Sequence, residues 1–146
     1  MKTSIELFSE EVDFLYENKA SLQDWILQIL SKEERTARYI NIIFCNDQYL
    51  LKVNQDYLDH DYYTDIITFQ YEEKPIEGEL YISIERVKEN AKERNLTFTS
   101  ELHRVIAHGV LHLIGYGDKS EDEITTMRAK EEDQLAIGKH LFDPTA

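Results

Sequence analysis

Residues 97–115 place the strongest constraint on how this chain can fold. Their apolar side chains recur every three or four positions, which is the spacing of an amphipathic α-helix. Thr97 or Thr99 is the expected N-cap, and Gly115 is the expected end, because glycine tolerates the left-handed backbone at a helix C-terminus. The segment therefore predicts a helix with one buried stripe, formed by Leu102, Val105, Ile106, Gly109 and Leu113.

Strand-like and helical segments are interleaved along the rest of the chain. Runs of β-branched and aromatic residues predict strands at residues 3–8, 39–45, 65–71 and 80–84, with a turn at residues 75–78. This order does not follow strict βαβ alternation. We therefore predict an α+β fold, in which a single domain spanning residues 1–146 packs a mixed β-sheet against helices.

Four more helices are expected around this sheet. They begin at Ser21, after Asp47 as the expected cap, at residue 85 and after Ser120, and the third ends near residue 94. Ser21 with Asp24, and Ser120 with Glu123, have the spacing of capping boxes. The last helix should pack through one face, formed by Ile124, Met127, Glu131 and Leu135.

The chain is strongly acidic, which limits the partners expected for it. Its 146 residues carry 16 Lys and Arg against 29 Asp and Glu, a formal net charge of −13. This balance disfavours a general nucleic-acid-binding surface, because contacts with phosphate need basic side chains. A hydrophobic fraction of 42% and an aromatic fraction of 11% favour a globular protein over a disordered one.

Membrane and disulfide-rich classes are disfavoured by simple counts. No apolar run approaches the roughly 18 residues of a membrane span, and residues 1–6 lack the apolar region of a secretory signal. Cys45 is the single cysteine, which excludes an internal disulfide and any multi-cysteine metal site. We expect a cytoplasmic protein with no membrane partner.

The residues that suggest chemistry lie at the end of the central helix. His108 and His112 are four residues apart, so both imidazoles project from one helix face and can reach one metal ion. Beyond a turn at Gly115, Asp118 can approach the same ion. This zincin-like His-x3-His-x2-Gly-x2-Asp spacing predicts a site for Zn²⁺, or another divalent metal, that leaves a fourth position for water.

Three other interpretations of the same pattern remain open. The spacing occurs in metzincin proteases, but Gly109 stands where those enzymes carry their general-base Glu, which disfavours a peptidase. Two histidines and one carboxylate also suit Fe(II), as in non-haem iron oxygenases. In the simplest alternative, both histidines are hydrogen-bonded core residues and Asp118 caps the last helix.

Four segments together resemble the YbeY family of bacterial single-strand-specific endoribonucleases and ribosomal RNA maturation factors. The family motif is His-Gly-x-Leu-His-Leu-x-Gly-Tyr-Asp-His, and nine of its eleven positions are compatible with residues 108–118. Residues 64–69 resemble the family's Thr-Asp-Val-Leu-Ser-Phe segment, and residues 78–83 resemble its Gly-Asp-Ile-x-Ile-Ser segment. Asn54 and Tyr57 match its Asn-x-x-Tyr-Arg motif.

The resemblance implies a zinc-dependent endoribonuclease whose metal ligands are His108, His112 and Asp118. Its substrate would be single-stranded RNA near the 3′ end of 16S ribosomal RNA, in ribosome maturation and quality control. Ribosomal RNA and ribosomal proteins are then the implied partners. The alternative is a non-catalytic ribosome assembly factor with a structural metal site.

Two positions depart from the family pattern. Asp118 replaces the usual third histidine; a carboxylate also binds zinc, but it lowers the charge of the metal centre, so the bound water should be less acidic. Leu58 replaces an arginine that is thought to face the phosphate, and Arg104 is a candidate substitute. Glu79 and Asp65, which lie in the two strand motifs, are candidates for a general base or for a carboxylate that orients a histidine.

Overall fold

Four strands and five helices follow one another in a computed structural model that describes residues 2–60 and 63–142. In chain order they are β1 (Ser4–Ser9), α1 (Lys19–Lys32), β2 (Ala37–Cys45), α2 (Asp47–Leu58), β3 (Ile66–Glu73), β4 (Ile76–Ser83), α3 (Ile84–Glu93), α4 (Phe98–Ile114) and α5 (Glu121–Phe142).

The strands form one mixed sheet in the order β1-β2-β4-β3. β1 with β2 and β2 with β4 are parallel, and their connections include helices, as parallel neighbours require. β3 and β4 are antiparallel and are joined by a short turn. The register places Leu80 of β4 between Ile42 of β2 and Thr68 of β3.

Helix α4 packs closely against one face of the sheet. A Cβ atom added to Gly78 of β4 would lie 2.8 Å from Leu113 of α4, and one added to Gly109 of α4 would lie 2.7 Å from Ile66 of β3. The predicted apolar stripe of α4 is buried in the main core. The two glycines thus let the helix that carries both histidines approach the sheet.

The opposite face of the sheet holds a smaller core under α2. Leu50 and Val53 of α2 pack with Cys45 and Ile67, the latter from β3. Because successive strand residues point to opposite faces, a side chain next to Gly78 or Leu80 in β4 lies on this second side. This alternation decides which strand residues can reach α4.

The predicted start of α1 and the predicted cap of α2 are wrong, and the turn predicted at residues 75–78 lies slightly earlier, at residues 74–75. α1 begins at Lys19 after Asn18, so no capping box forms at its start from Ser21. Asn46, not Asp47, caps α2, because its side chain accepts a hydrogen bond from the Tyr49 amide at 2.8 Å. Gly78 lies inside β4 rather than in a turn.

The ends of α4 and the start of α5 follow the sequence prediction. The Thr97 side chain accepts from the Ser100 amide at 3.1 Å, and Gly115 ends α4 with a φ of 129°. Ser120 and Glu123 form a reciprocal capping box, with distances of 3.0 and 3.1 Å. The segment between α4 and α5, which contains Asp118, is therefore fixed at both ends.

The predicted fold class is confirmed as a single α+β domain with a mixed sheet and the histidine pair on a central helix. Among the residues that the structure describes, no helix has the length and apolar character to cross a membrane.

Candidate metal centre

The last turns of α4 hold both predicted histidine ligands. The ring centroids of His108 and His112 are 5.3 Å apart. Each Nδ1 atom is already hydrogen-bonded, that of His108 to Glu131 at 2.7 Å and that of His112 to the carbonyl oxygen of Tyr116 at 2.8 Å. The Nε2 atoms are therefore the nitrogens available to a metal ion.

Asp118 reaches the same place because α4 stops at Gly115. The positive φ of that glycine is a conformation that residues with a Cβ rarely adopt. The Asp118 Oδ2 atom lies 3.3 Å from Nε2 of His108 and 3.6 Å from Nε2 of His112. All three predicted ligands thus converge, with their ligand atoms within 4.8 Å of one another.

The separations between these atoms fit a shared cation. A tetrahedral ion with bonds of about 2.0–2.1 Å holds its ligand atoms about 3.3 Å apart. A direct charge-assisted hydrogen bond between imidazole and carboxylate is shorter, about 2.7–2.9 Å. The observed distances of 3.3 and 3.6 Å agree with the first arrangement. Nitrogen and oxygen donors of this kind accept zinc and other divalent metals.

Glu131 of α5 orients the first histidine. Its carboxylate is almost fully buried and accepts hydrogen bonds from Nδ1 of His108 and, at 3.2 Å, from Arg104. Burial opposes ionisation of Glu131, but its interactions with His108 and Arg104 outweigh burial and lower its pKa. This carboxylate–histidine pair fixes the His108 tautomer with Nε2 facing Asp118.

Burial and charge act in opposite directions on His108. Burial lowers its pKa. The hydrogen bond to Glu131 and the charges of Glu131, Asp118 and Asp65 together raise it by more than burial lowers it, so the pKa of His108 lies above its ordinary value. This excess of negative potential around the imidazole equally favours a bound cation.

A separate group of contacts holds the second histidine. Tyr116, whose carbonyl oxygen accepts from His112, donates its hydroxyl proton to Glu33 at the end of α1. Lys130 of α5 lies 3.1 Å from the same carboxylate. The loop that orients His112 is thus tied to two helices outside α4.

Arg104 lies behind His108 and is paired with two carboxylates. Its Nε and Nη2 atoms donate to Glu101 at 2.9 and 2.6 Å, and its Nη1 atom donates to Glu131. Glu101 is completely buried, and its pairing with Arg104 raises the pKa of the guanidinium. The direct contacts of Arg104 therefore support the carboxylate that orients His108.

The two other candidate carboxylates lie in different places. Asp65 lines a cleft beside the ligands and accepts from Asn90 at 3.3 Å. Glu79 lies on the sheet face opposite α4, where it accepts from the Tyr71 hydroxyl at 2.6 Å. The structure therefore brings Asp65, but not Glu79, near the ligand group.

Open clefts adjoin the ligand group on both sides, and both include His108 and Asp118. The α4–α5 cleft, about 650 Å³ in volume, lies between α4 and α5. The β3 cleft, about 480 Å³, lies between the end of α2, β3 and the loop after α4. The candidate metal position is thus at the junction of two clefts.

Leu58 lines the β3 cleft, so the missing arginine leaves an apolar side chain beside the ligand group. Lys119, directly after Asp118, lines the same cleft and supplies a positive charge there. Sequence reasoning did not single out Lys119.

Glu131 is the most important residue that the sequence interpretation missed. We expected it to be part of a packed helix face, and it is buried there with Met127, but it also accepts a hydrogen bond from His108. A glutamate inside an apolar helical stripe was a usable signal, because a buried carboxylate needs a partner.

Comparison with known proteins identifies the family. Residues 5–138 match the family model described as Endoribonuclease YbeY. A relative from Cytophaga hutchinsonii named Endoribonuclease YbeY is 48% identical over 138 residues, which cover 93% of this chain and 96% of that protein. A second relative of that name, from Flavobacterium johnsoniae, is 44% identical over 131 residues, which cover 89% of this chain and 94% of that protein.

A solved structure shares the fold. The solution structure of a Thermotoga maritima protein superimposes with a TM-score of 0.67 at 27% sequence identity, covering 97% of this chain and 99% of that one. The predicted family, and with it the prediction of a nuclease-type hydrolase, is confirmed by these matches together. The chain belongs to the endoribonuclease YbeY family.

Proposed function

We propose that this protein is a zinc-dependent endoribonuclease that cleaves single-stranded RNA. The observation that carries the proposal is the convergence of His108, His112 and Asp118 at the junction of two open clefts. A divalent ion held by these ligands supplies Lewis acidity for phosphodiester hydrolysis and activates water. The relatives named endoribonuclease support the choice of RNA as the substrate.

The position of the ligands between clefts suits cleavage inside a strand. An enzyme that cuts at an end needs space on one side of the reacting phosphate, whereas an endonuclease must accept nucleotides on both sides. Both clefts include His108 and Asp118, so a strand that crosses the ligand group has room in each direction.

The residues around the ligands have distinct roles in this proposal. Glu131 and the Tyr116 carbonyl hold the two imidazoles in the tautomer that presents Nε2. In this proposal Asp65 accepts a proton and Lys119 contacts phosphate where Leu58 offers no charge; the support is that all three residues line the β3 cleft.

For the finer role, the support is the resemblance to the family. We propose that the substrate lies near the 3′ end of 16S ribosomal RNA, that the protein acts with ribosomal proteins in ribosome maturation and quality control, and that it does so in the cytoplasm. The net charge of −13 supports a requirement for the ribosome as partner, because it weakens capture of free RNA.

The alternative is an assembly factor whose metal is structural. The observation that favours it is the apolar Leu58 in the β3 cleft. Both proposals predict bound metal, so metal content alone does not separate them, whereas cleavage does.

The first test is metal stoichiometry. The purified protein should hold close to one zinc ion per chain, and His112→Ala should remove most of it. His103→Gln is the matched control, because His103 lies on the same helix but bonds the Tyr16 hydroxyl and is outside the ligand group. A low zinc content that His112→Ala does not change would contradict the metal site.

The second test is cleavage of single-stranded RNA from the 3′ region of 16S ribosomal RNA. The wild type should cleave the strand and spare its duplex, and His108→Ala, with folding matched by circular dichroism, should lose this activity. Equal background rates for both proteins would favour the assembly factor.

A further inference from the structure

The α4–α5 cleft has a lining unlike the rest of this acidic protein. One wall is a single face of α5, on which Ile124, Arg128 and Leu135 lie at helical spacing. The opposite wall holds Arg94 and Arg104, the latter from α4. The cleft begins at the ligand group, since His108 and Asp118 form one end of it.

Charge in this cleft is balanced although the chain carries −13 overall. Three arginines face three carboxylates: Arg94, Arg104 and Arg128 against Asp118, Glu131 and Glu132. Two of those carboxylates are engaged at the ligand group, since Glu131 accepts from His108 and Asp118 lies against both imidazoles. A cation there would offset the charge of these two carboxylates. Arg94 and Arg104 are themselves paired with Glu101, which leaves Arg128 as the guanidinium that can meet an incoming strand.

Arg128 is the guanidinium most available to a ligand. Among the residues that the structure describes, Arg104 pairs with Glu101 and Glu131, and Arg94 lies 3.7 Å from Glu101. In the same part of the chain Arg128 takes part in no ion pair. It is an exposed residue of α5 one turn after Ile124.

The cleft also offers apolar surface next to this charge. Ile124 is 36% exposed, and Leu135 is half-buried further along the same wall. A volume of about 650 Å³ lies in the range of about 300–1,000 Å³ that small-molecule sites occupy. Apolar surface beside a free guanidinium matches a nucleotide, whose base is flat and apolar on its faces and whose phosphate is anionic.

We infer that the α4–α5 cleft binds an unpaired nucleotide flanking the cleaved phosphate, with its base against Ile124 and Leu135 and its phosphate on Arg128. This inference rests on the proposed function and deepens it. A base held in a duplex is stacked and paired and does not enter such a cleft, so the cleft itself selects single strands.

Arg128→Ala tests the phosphate contact. Binding of a short single-stranded RNA, measured by fluorescence anisotropy on the zinc-loaded protein and checked for intact RNA on a gel, should weaken about 5-fold at 0.1 M salt. The slope of log affinity against log salt should become shallower by about 0.7, the value of one phosphate contact on a single strand. Arg38→Ala is the matched control, because Arg38 is an exposed arginine of β2 that pairs with Glu77.

Ile124→Ser tests the base contact with a series of RNAs that each lack one base. In the wild type, removal of one base next to the cleavage site should weaken binding several-fold, and in Ile124→Ser this loss should disappear. Leu27→Ser, which changes a similarly exposed leucine of α1, should retain the wild-type pattern.

These measurements separate failure of the cleft from failure of the proposed activity. RNA binding that depends on Arg128 and Ile124 supports the cleft even if no cleavage is seen. If the protein cleaves RNA but neither Arg128→Ala nor Arg38→Ala changes its affinity for RNA, the phosphate contact is overturned. If removal of that base weakens binding to Ile124→Ser as much as it weakens binding to the wild type, the base contact is overturned.

Discussion

The Nδ1 atom of His108 lies 2.7 Å from the buried carboxylate of Glu131, which joins the candidate metal centre to α5. The same carboxylate binds Arg104, and Arg104 binds the completely buried Glu101. The orientation of one ligand therefore depends on side chains that do not touch the ion position.

Glu131→Gln should weaken metal binding while leaving all three ligands in place. The amide keeps the size of the side chain but removes the charge that fixes the His108 tautomer, and loss of such a partner typically costs about 10–100-fold in affinity. Competition with a zinc chelator measures the change. Asp133→Asn removes one negative charge from an exposed residue of the same helix and should leave the affinity near the wild-type value.

Gly78→Ala should destabilise the fold by about 1–3 kcal/mol, because overpacking forces a shift between α4 and the sheet. The added Cβ would lie 2.8 Å from Leu113 and 3.0 Å from the carbonyl oxygen of Phe69. Chemical denaturation gives the free energy of unfolding.

Glu79→Ala, at the next position of β4, tests the placement of that carboxylate, since Glu79 points to the other face of the strand. It should leave RNA cleavage unchanged. A large loss of cleavage in Glu79→Ala would contradict the placement of that carboxylate away from the site.

Stability should fall in acid partly through His103. Burial lowers the pKa of this histidine from 6.5 to about 4, and its Nε2 lies 2.6 Å from the Tyr16 hydroxyl. Between these pH values the unfolded chain binds a proton that the folded chain does not, so folding loses free energy as the pH falls. The shift corresponds to about 3 kcal/mol across this window.

His103→Gln isolates this contribution from those of the other titrating groups. The stability advantage of the wild type over the variant should shrink as the pH falls from 6.5 to 4, measured by denaturant titration at each pH. A constant difference across the window would show that His103 is protonated alike in both states.

Leu58→Arg should improve RNA binding in the β3 cleft, which Leu58 lines. One added phosphate contact should strengthen single-strand binding about 5-fold at 0.1 M salt, mainly as a lower KM. Leu15→Arg adds the same charge at an 83% exposed leucine elsewhere. Equal gains from both variants would indicate a general charge effect rather than a specific contact.

The ligand group could be predicted from sequence because its geometry is local. His108 and His112 lie one helical turn apart, and Gly115 fixes where the helix stops before Asp118, so spacing alone brings the three together. The Thr97 cap and the Ser120–Glu123 box were predictable for the same reason.

Contacts that depend on packing between distant elements could not be predicted. Glu131 and His108 are 23 residues apart in the sequence, and Tyr116 and Glu33 are 83 residues apart. Both contacts form only when other helices dock. The start of α1 was missed because Asn18 forms no side-chain cap, so the chain carries no local signal there. The face of β4 on which Glu79 lies depends on the register of the strand. A shift of one residue would move its side chain to the other face.

The order of these parts along the chain has a consequence for biosynthesis. All three ligands precede α5, so a growing polypeptide can present them before the helix that carries Glu131 has been made. His108 gains its fixed orientation only after that final helix docks. A polypeptide that has been made only as far as Asp118 therefore holds the three candidate ligands without the carboxylate that orients the first of them.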